Sequence, residues 1–175
     1  MLPIEHFIVA FLPVLGYSIG RDRKLPTPRL TALAFVGSQF PDLIDKPLAH
    51  QFGLLPSGRV GMHSLPISVP FVCVIIAYGW YTDRRRLASV FAFAHLSHLL
   101  ADNYKPLLGA TPSVSPDLLW PFTQPVARAA VPGWAGVNGI NVLLWTIFSI
   151  VVLAAFSYVA VVDVREQLRL ATSQE

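Results

Sequence analysis

Residues 93–102, FAHLSHLLAD, form an apolar run that is interrupted by two histidines and closed by an aspartate. Because side chains four residues apart lie on one face of an α-helix, His98 and Asp102 are predicted to be neighbours, and His95 extends the same stripe. An imidazole and a carboxylate at this spacing are typical of helical metal sites. The alternative is a capped helix end with an ordinary core histidine.

The composition of the chain indicates a membrane protein. Of its 175 residues, 54% are hydrophobic and 13% are charged, and the mean hydropathy is +0.55. Ordinary soluble domains carry about 25% charged residues. Residues 140–162 contain no charge and are long enough to cross a hydrocarbon core of about 30 Å, and residues 65–82 form a second uncharged run. Cys73 lies in that second run, where we expect a small buried residue, and we expect no removable signal peptide.

Five apolar runs predict an all-α, polytopic membrane bundle of about five helices with a polar, metal-binding end. They cover residues 2–20, 30–40, 64–82, 87–101 and 140–162. Residues 1–162 are expected to form a single integral membrane domain, and residues 163–175 a polar tail. Two prolines bracket residues 41–47, which predicts a fixed non-helical loop, and residues 48–63 are expected to be a loop as well. The fourth helix is expected to end at Asp102.

The alternation of spans gathers the polar residues at one membrane face. Most lysines and arginines lie in short clusters at the ends of apolar runs, which is typical of topology signals rather than of a nucleic-acid-binding surface. Their bias predicts an N-terminus outside the cell membrane and a polar face that is extracytoplasmic. The histidines and acids expected at that face are His6, Asp42, Asp45, His63, His98 and Asp102. Such a constellation at one end of a bundle is costly without a partner such as a metal.

Imidazole and carboxylate together suit a divalent metal, zinc above all, with manganese or iron as alternatives. Six candidate ligands are more than one tetrahedral zinc needs, so one or two ions are expected. A metal site of this kind activates water for displacement at phosphorus. Arg59, four residues before His63, is a candidate for holding a substrate phosphate, and Asp45 a candidate for a catalytic as well as a ligand role. Each residue also has a plain structural alternative, such as capping a turn beside a proline.

Several short motifs occur in a fixed order between residues 6 and 122. They are His6, Pro41-Asp42-Leu43-Ile44-Asp45, Arg59-Val60-Gly61-Met62-His63-Ser64-Leu65, Leu96-Ser97-His98-Leu99-Leu100-Ala101-Asp102 and Leu118-Leu119-Trp120-Pro121-Phe122. This order resembles the YdjM-type family of membrane-bound metal-dependent hydrolases. Gly58 stands where that family has a histidine, and the acidic loop has one extra residue between its aspartates. The resemblance implies a membrane-bound metal-dependent hydrolase of unspecified substrate.

The sequence therefore favours a membrane-bound, metal-dependent hydrolase of a phosphoester, possibly a lipid, at the membrane surface. Membrane lipids and the substrate are the expected partners, and no nucleic acid is expected. Two other functions remain open at this point. One is a metal or ion transporter, and the other is a non-catalytic membrane scaffold with a structural metal.

Overall fold

The computed structural model describes residues 3–126 and seven single positions further along, namely 147, 150, 151, 154, 161, 165 and 169. Residues 3–126 belong to the unit Met1–Arg128. The predicted span at residues 140–162 and the polar tail fall almost entirely outside the described residues. The single membrane domain expected for residues 1–162 therefore stays a prediction.

Residues 3–126 are helical and contain no strand, which confirms the all-α class for this part of the chain. The helices are α1 (Pro3–Tyr17), which continues as a π-helical turn (Ser18–Asp22), α2 (Pro28–His50), α3 (Leu65–Tyr81) and α4 (Arg85–Leu107). One short 3₁₀ turn, Gly61–His63, lies between α2 and α3, and another, Pro116–Leu119, follows α4.

Among the described residues, one helix combines the length and the apolar composition needed to cross a membrane. It is the 20-residue stretch Pro3–Asp22, which joins α1 to its π-helical turn. The helix α3 is also apolar but has only 17 residues, fewer than the approximately 20 of a typical span. The number of spans, five in the sequence interpretation, stays a prediction.

The non-helical loop predicted for residues 41–47 is wrong, because α2 runs without a break through Pro41 and Pro47 to His50. An interior proline removes a backbone hydrogen bond and costs a helix about 3 kcal/mol. Here tertiary packing outweighs that cost, since α2 packs against both α1 and α4 and residues 37–43, which include Pro41, are all buried. Thr27 caps the start of α2, and its hydroxyl accepts a hydrogen bond from the amide of Leu30.

Two further expectations are corrected by the described residues. The helix α4 does not end at Asp102 but continues to Leu107, so Asp102 lies inside the helix. Cys73 is exposed on α3 rather than buried. The reason is that few side chains of α3 face the rest of the unit, with Ser68 and Gly79 its buried positions, so an apolar run here does not imply burial within the protein.

Small residues allow the helices to approach closely. A Cβ atom at Gly37 of α2 would lie 2.8 Å from the carbonyl oxygen of Phe91 and 2.9 Å from the Cβ of Ala94, both in α4. In the same way Gly79 of α3 packs against Ala88 of α4. Close approach at small residues is typical of helices packed in membranes. As a result, Nε2 of His98 in α4 lies 3.9 Å from Oδ1 of Asp42 in α2, and its Nδ1 reaches the carbonyl oxygen of Ser38.

Candidate metal centre

Five polar side chains from four elements meet in the interior of the unit. They are His6 of α1, Asp42 of α2, His63 of the 3₁₀ turn, and His98 and Asp102 of α4, and we call them the His/Asp cluster. None of the five side chains is more than 6% exposed. The structure therefore brings together residues that lie up to 96 positions apart and that the alternation of spans predicted to share one membrane face.

The distances between the nitrogen and oxygen atoms of the cluster fit those between the ligand atoms of a metal ion. Nε2 of His63 lies 3.1 Å from Nε2 of His98 and 3.4 Å from Oδ1 of Asp42. Asp102 places Oδ2 at 3.8 Å from the same nitrogen of His63 and Oδ1 at 3.2 Å from Nε2 of His6. Ligand atoms around a tetrahedral zinc are about 3.3–3.8 Å apart, because each bond is about 2.0–2.3 Å long. Two overlapping groups each have all ligand atoms within 4.8 Å: His6, His98 and Asp102, and Asp42, His63 and His98.

Asp45 fixes the orientation of His63. Its Oδ2 lies 2.7 Å from Nδ1 of His63 and accepts the backbone N–H of the same residue at 3.0 Å, while Oδ1 accepts the backbone N–H of Met62 at 2.9 Å. The turn approaches so closely at Gly61, where φ is +70°, that a Cβ there would lie 2.7 Å from Oδ1 of Asp45. A carboxylate accepts hydrogen bonds, so His63 donates from Nδ1 and turns Nε2 towards the cluster. Carboxylates commonly orient metal-binding histidines in this way.

The backbone of α2 fixes the orientation of His98. Nδ1 of His98 donates a hydrogen bond to the carbonyl oxygen of Ser38 at 2.6 Å, since a carbonyl can only accept. Pro41 has no N–H to donate to the carbonyl of Gly37 four residues earlier, so the α2 ladder lacks one hydrogen bond next to Ser38. The bond from Nδ1 to Ser38 leaves Nε2 of a neutral His98 without a proton. Its lone pair points to His63 and so can bind a cation.

The acidic neighbours of His63 favour a proton on this ring. Burial lowers the pKa of His63, but hydrogen bonds and charge interactions with Asp42 and Asp45 outweigh it and raise the pKa to about 9. Protonated His63 donates from Nε2 to the bare Nε2 of His98. The raised pKa of His63 thus shows that the carboxylates of Asp42 and Asp45 favour a positive charge on this ring.

Two basic side chains flank the cluster. Nζ of Lys46 bonds Oδ2 of Asp42 at 2.7 Å, which leaves Oδ1 as the oxygen that faces the histidines. Nε of Arg59 lies 3.5 Å from Oδ2 of Asp102, and its side chain is 41% exposed. Arg59 therefore contacts the buried cluster at one end of its side chain while the side chain remains partly exposed.

Sequence reasoning missed Ser38 and Lys46. Lys46 had a detectable signal, because it follows Asp42 by four residues and such pairs meet on a helix, but the expected loop over residues 41–47 hid it. Ser38 had none, since it acts through its backbone carbonyl.

His95 is separate from the cluster. Its Nε2 bonds Ser68 Oγ at 2.8 Å, and its ring packs among aromatic side chains, Phe40, Phe71 and Phe91.

The position of Gly58 also has a structural reason. His50 ends α2 and lies next to it, and a Cβ at position 58 would be 2.8 Å from Nε2 of His50 and 3.4 Å from Cγ of Lys46. A larger residue at position 58 therefore fits only if His50 moves.

Comparison with known protein families gave a match over almost the whole chain. The model of the family described as YdjM inner membrane protein matches residues 1–171. The chain belongs to this family. The resemblance drawn from the order of the sequence motifs is thereby confirmed, and the family description identifies a protein of the inner membrane. Neither the curated proteins nor the solved structures gave a match.

Proposed function

We propose that this YdjM family member is a membrane-embedded hydrolase that depends on one divalent metal, with zinc the best fit and manganese the alternative. The ligands are Nε2 of His63 and His98, one oxygen each of Asp42 and Asp102, and Nε2 of His6. The observation that carries the proposal is the orientation of both central imidazoles. Each is held by a hydrogen bond from Nδ1, to Asp45 and to Ser38, so that both Nε2 atoms face the same point.

The shared histidine favours one ion over two. The two groups that could each hold a metal have His98 in common, and its Nε2 has one lone pair. Asp102 links the groups, since its Oδ2 lies 3.8 Å from Nε2 of His63. Three imidazoles and two carboxylates around one centre suit zinc, manganese or iron.

A bound metal would supply a water of lowered pKa as the nucleophile and polarise the bond to be cleaved. Asp45 keeps His63 in the ligand tautomer, and Lys46 keeps Asp42 bound through a single oxygen. Arg59 orients the anionic group of the substrate. Its Nε faces Asp102, and its terminal amino groups have no partner among residues 3–126, so they are available to a phosphoryl oxygen. A phosphoester, possibly of a lipid, is the proposed substrate class, and an extracytoplasmic site remains the proposed orientation.

Metal analysis tests the ligand assignment. Purified wild-type protein is expected to contain about one zinc or manganese per chain by elemental analysis. His98→Ala should lose the metal while the helix content measured by circular dichroism is retained, whereas the control His50→Ala should keep it, because His50 lies outside the cluster. A His98→Ala protein with wild-type metal content would show that the assignment is wrong.

The burial of all five ligands favours a second candidate function, a structural metal in a non-catalytic membrane protein. Hydrolysis assays separate the two functions. The metal-loaded wild type should hydrolyse p-nitrophenyl phosphate, its bis ester or a short-chain phospholipid, and Arg59→Gln should raise KM for the hydrolysed compound. Stable metal binding without hydrolysis of any of these, together with unfolding on metal removal, would favour the structural role.

A further inference from the structure

A second site lies at the other end of α1 and α4 from the His/Asp cluster. A cavity of about 570 Å³ opens between the end of α1 with its π-helical turn and the beginning of α4. Ser18 in its wall is twelve residues beyond His6, which corresponds to about 18 Å along a helix. The cavity is therefore separate from the proposed metal centre, and its volume lies within the range of about 300–1,000 Å³ that is usual for small-ligand sites.

The walls of the cavity are mostly apolar and its rim is basic. Pro13, Val14, Val90 and Phe93 contribute apolar surface, and three arginines, Arg21, Arg85 and Arg86, lie at the rim. Tyr17, Asp22 and two serines complete the lining. An apolar interior below a cluster of arginines is complementary to an amphiphile with a negatively charged head.

The three arginines differ in how far they are already paired. Arg86 forms an ion pair with Asp22 and donates from Nη2 to Oγ of Ser18 at 3.2 Å, which ties the π-helical turn to α4. Arg85 stacks over Trp80 and lies 3.8 Å from Asp83, whose side chain is 93% exposed, a pair of little strength. Arg21 has no ion-pair partner among residues 3–126. Two positive charges at the rim are thus available to a ligand.

We propose that this cavity binds an anionic phospholipid, with an acyl chain along Val14, Val90 and Phe93 and the headgroup phosphate held by Arg21 and Arg85. Basic pockets between helices of membrane proteins recognise anionic headgroups in this manner. Arg86 supports the site by holding the turn that carries Arg21. The lipid here is a bound partner and not the substrate of the metal centre, so the proposal does not depend on the proposed hydrolase.

Native mass spectrometry of the purified full chain in non-ionic detergent tests the proposal. Phosphatidylglycerol is titrated against phosphatidylcholine with the same acyl chains, and inorganic phosphate serves as a headgroup without chains. The wild type should retain phosphatidylglycerol preferentially and should bind neither phosphate alone nor phosphatidylcholine to a comparable extent. The double variant Arg21→Ala/Arg85→Ala should bind phosphatidylglycerol roughly 30-fold more weakly, the combined effect expected of two arginines near an anionic headgroup.

Two further variants make the outcome decisive. Arg29→Ala removes an exposed arginine that does not line the cavity and should leave phosphatidylglycerol binding unchanged. Ser89→Trp fills the cavity from an exposed lining position and should weaken binding although all three arginines remain. Equal phosphatidylglycerol binding by the wild type, the double variant and Ser89→Trp would overturn the proposal, and so would equal binding of the two lipids. Tight binding of phosphate alone would overturn it as well and would assign the rim to a free anion.

Discussion

The role of Asp45 in orienting His63 can be tested by Asp45→Asn, a change that preserves shape and removes one acceptor oxygen. The two carboxylate oxygens of Asp45 receive three N–H donors, from the backbone of Met62 and from the backbone and ring of His63. An asparagine has one acceptor oxygen and one NH₂ group. Whichever way the amide is turned, at least one buried N–H donor faces the NH₂ group.

The expected losses of folding stability and of metal affinity are worked out for the less damaging of the two orientations of the amide. If the amide oxygen of the substituted side chain takes the place of Oδ2, both contacts with His63 persist and the N–H of Met62 loses its acceptor. A buried donor left unpaired costs about 1–3 kcal/mol of folding stability. The ring of His63 then bonds a neutral amide instead of a carboxylate, and loss of such a partner weakens metal binding by about 10–100-fold.

Zinc affinity is measured by competition with a chelator of known affinity, and stability by thermal unfolding of the same metal-free samples in detergent. Asp83→Asn is the matched control, because Asp83 is 93% exposed and should change neither quantity. Asp45→Glu should not rescue binding, since the carboxylate already lies against the turn at Gly61 and leaves no room for another methylene. Wild-type zinc affinity and stability in Asp45→Asn would refute the orienting role.

Three other predictions concern the pH dependence, the packing and the sidedness of the site. Because a metal must displace the proton of His63, whose pKa is raised to about 9, zinc affinity should fall roughly tenfold for each pH unit below that value. Calorimetry in buffers of different ionisation enthalpy should detect the released proton. A zinc affinity that does not depend on pH would contradict competition between the proton and the metal for His63. Gly37→Ala should cost about 1–3 kcal/mol in thermal unfolding because its Cβ meets α4, whereas Gly16→Ala, with open space around it, should be neutral or slightly stabilising. In a Cys73→Ser background, a membrane-impermeant maleimide added to intact cells should label Gln51→Cys, just after the end of α2 that carries Asp42, and not Lys24→Cys, before its beginning. The reverse pattern would place the cluster on the cytoplasmic side.

The sequence predicted the members of the His/Asp cluster because two local rules were enough. The spacing of four residues places His98 and Asp102 on one face of a helix. The predicted alternation of apolar runs then places His6, Asp42 and His63 at the same end of the bundle. Neither rule depends on how the helices pack, and the described residues place all five side chains together.

The path of α2 could not be read from the sequence in the same way. Pro41 and Pro47 are strong local signals against a helix, yet α2 continues through both because its packing against α1 and α4 outweighs their cost. Local propensity is a weak guide wherever tertiary contacts are extensive. The missed pair of Asp42 and Lys46 followed directly from that wrong loop.

By itself, the sequence determined the apolar composition and predicted the helical class, which residues 3–126 confirm, together with five side chains that the structure brings close to one another. Only the tertiary structure decided how the two central imidazoles are oriented. His63 is oriented by the carboxylate of Asp45. His98 is oriented by the backbone carbonyl of Ser38, which it reaches because Gly37 lets α2 and α4 approach closely. The physical reason is that a hydrogen bond requires its atoms within about 3 Å, a distance fixed by the packing of helices and not by the order of residues.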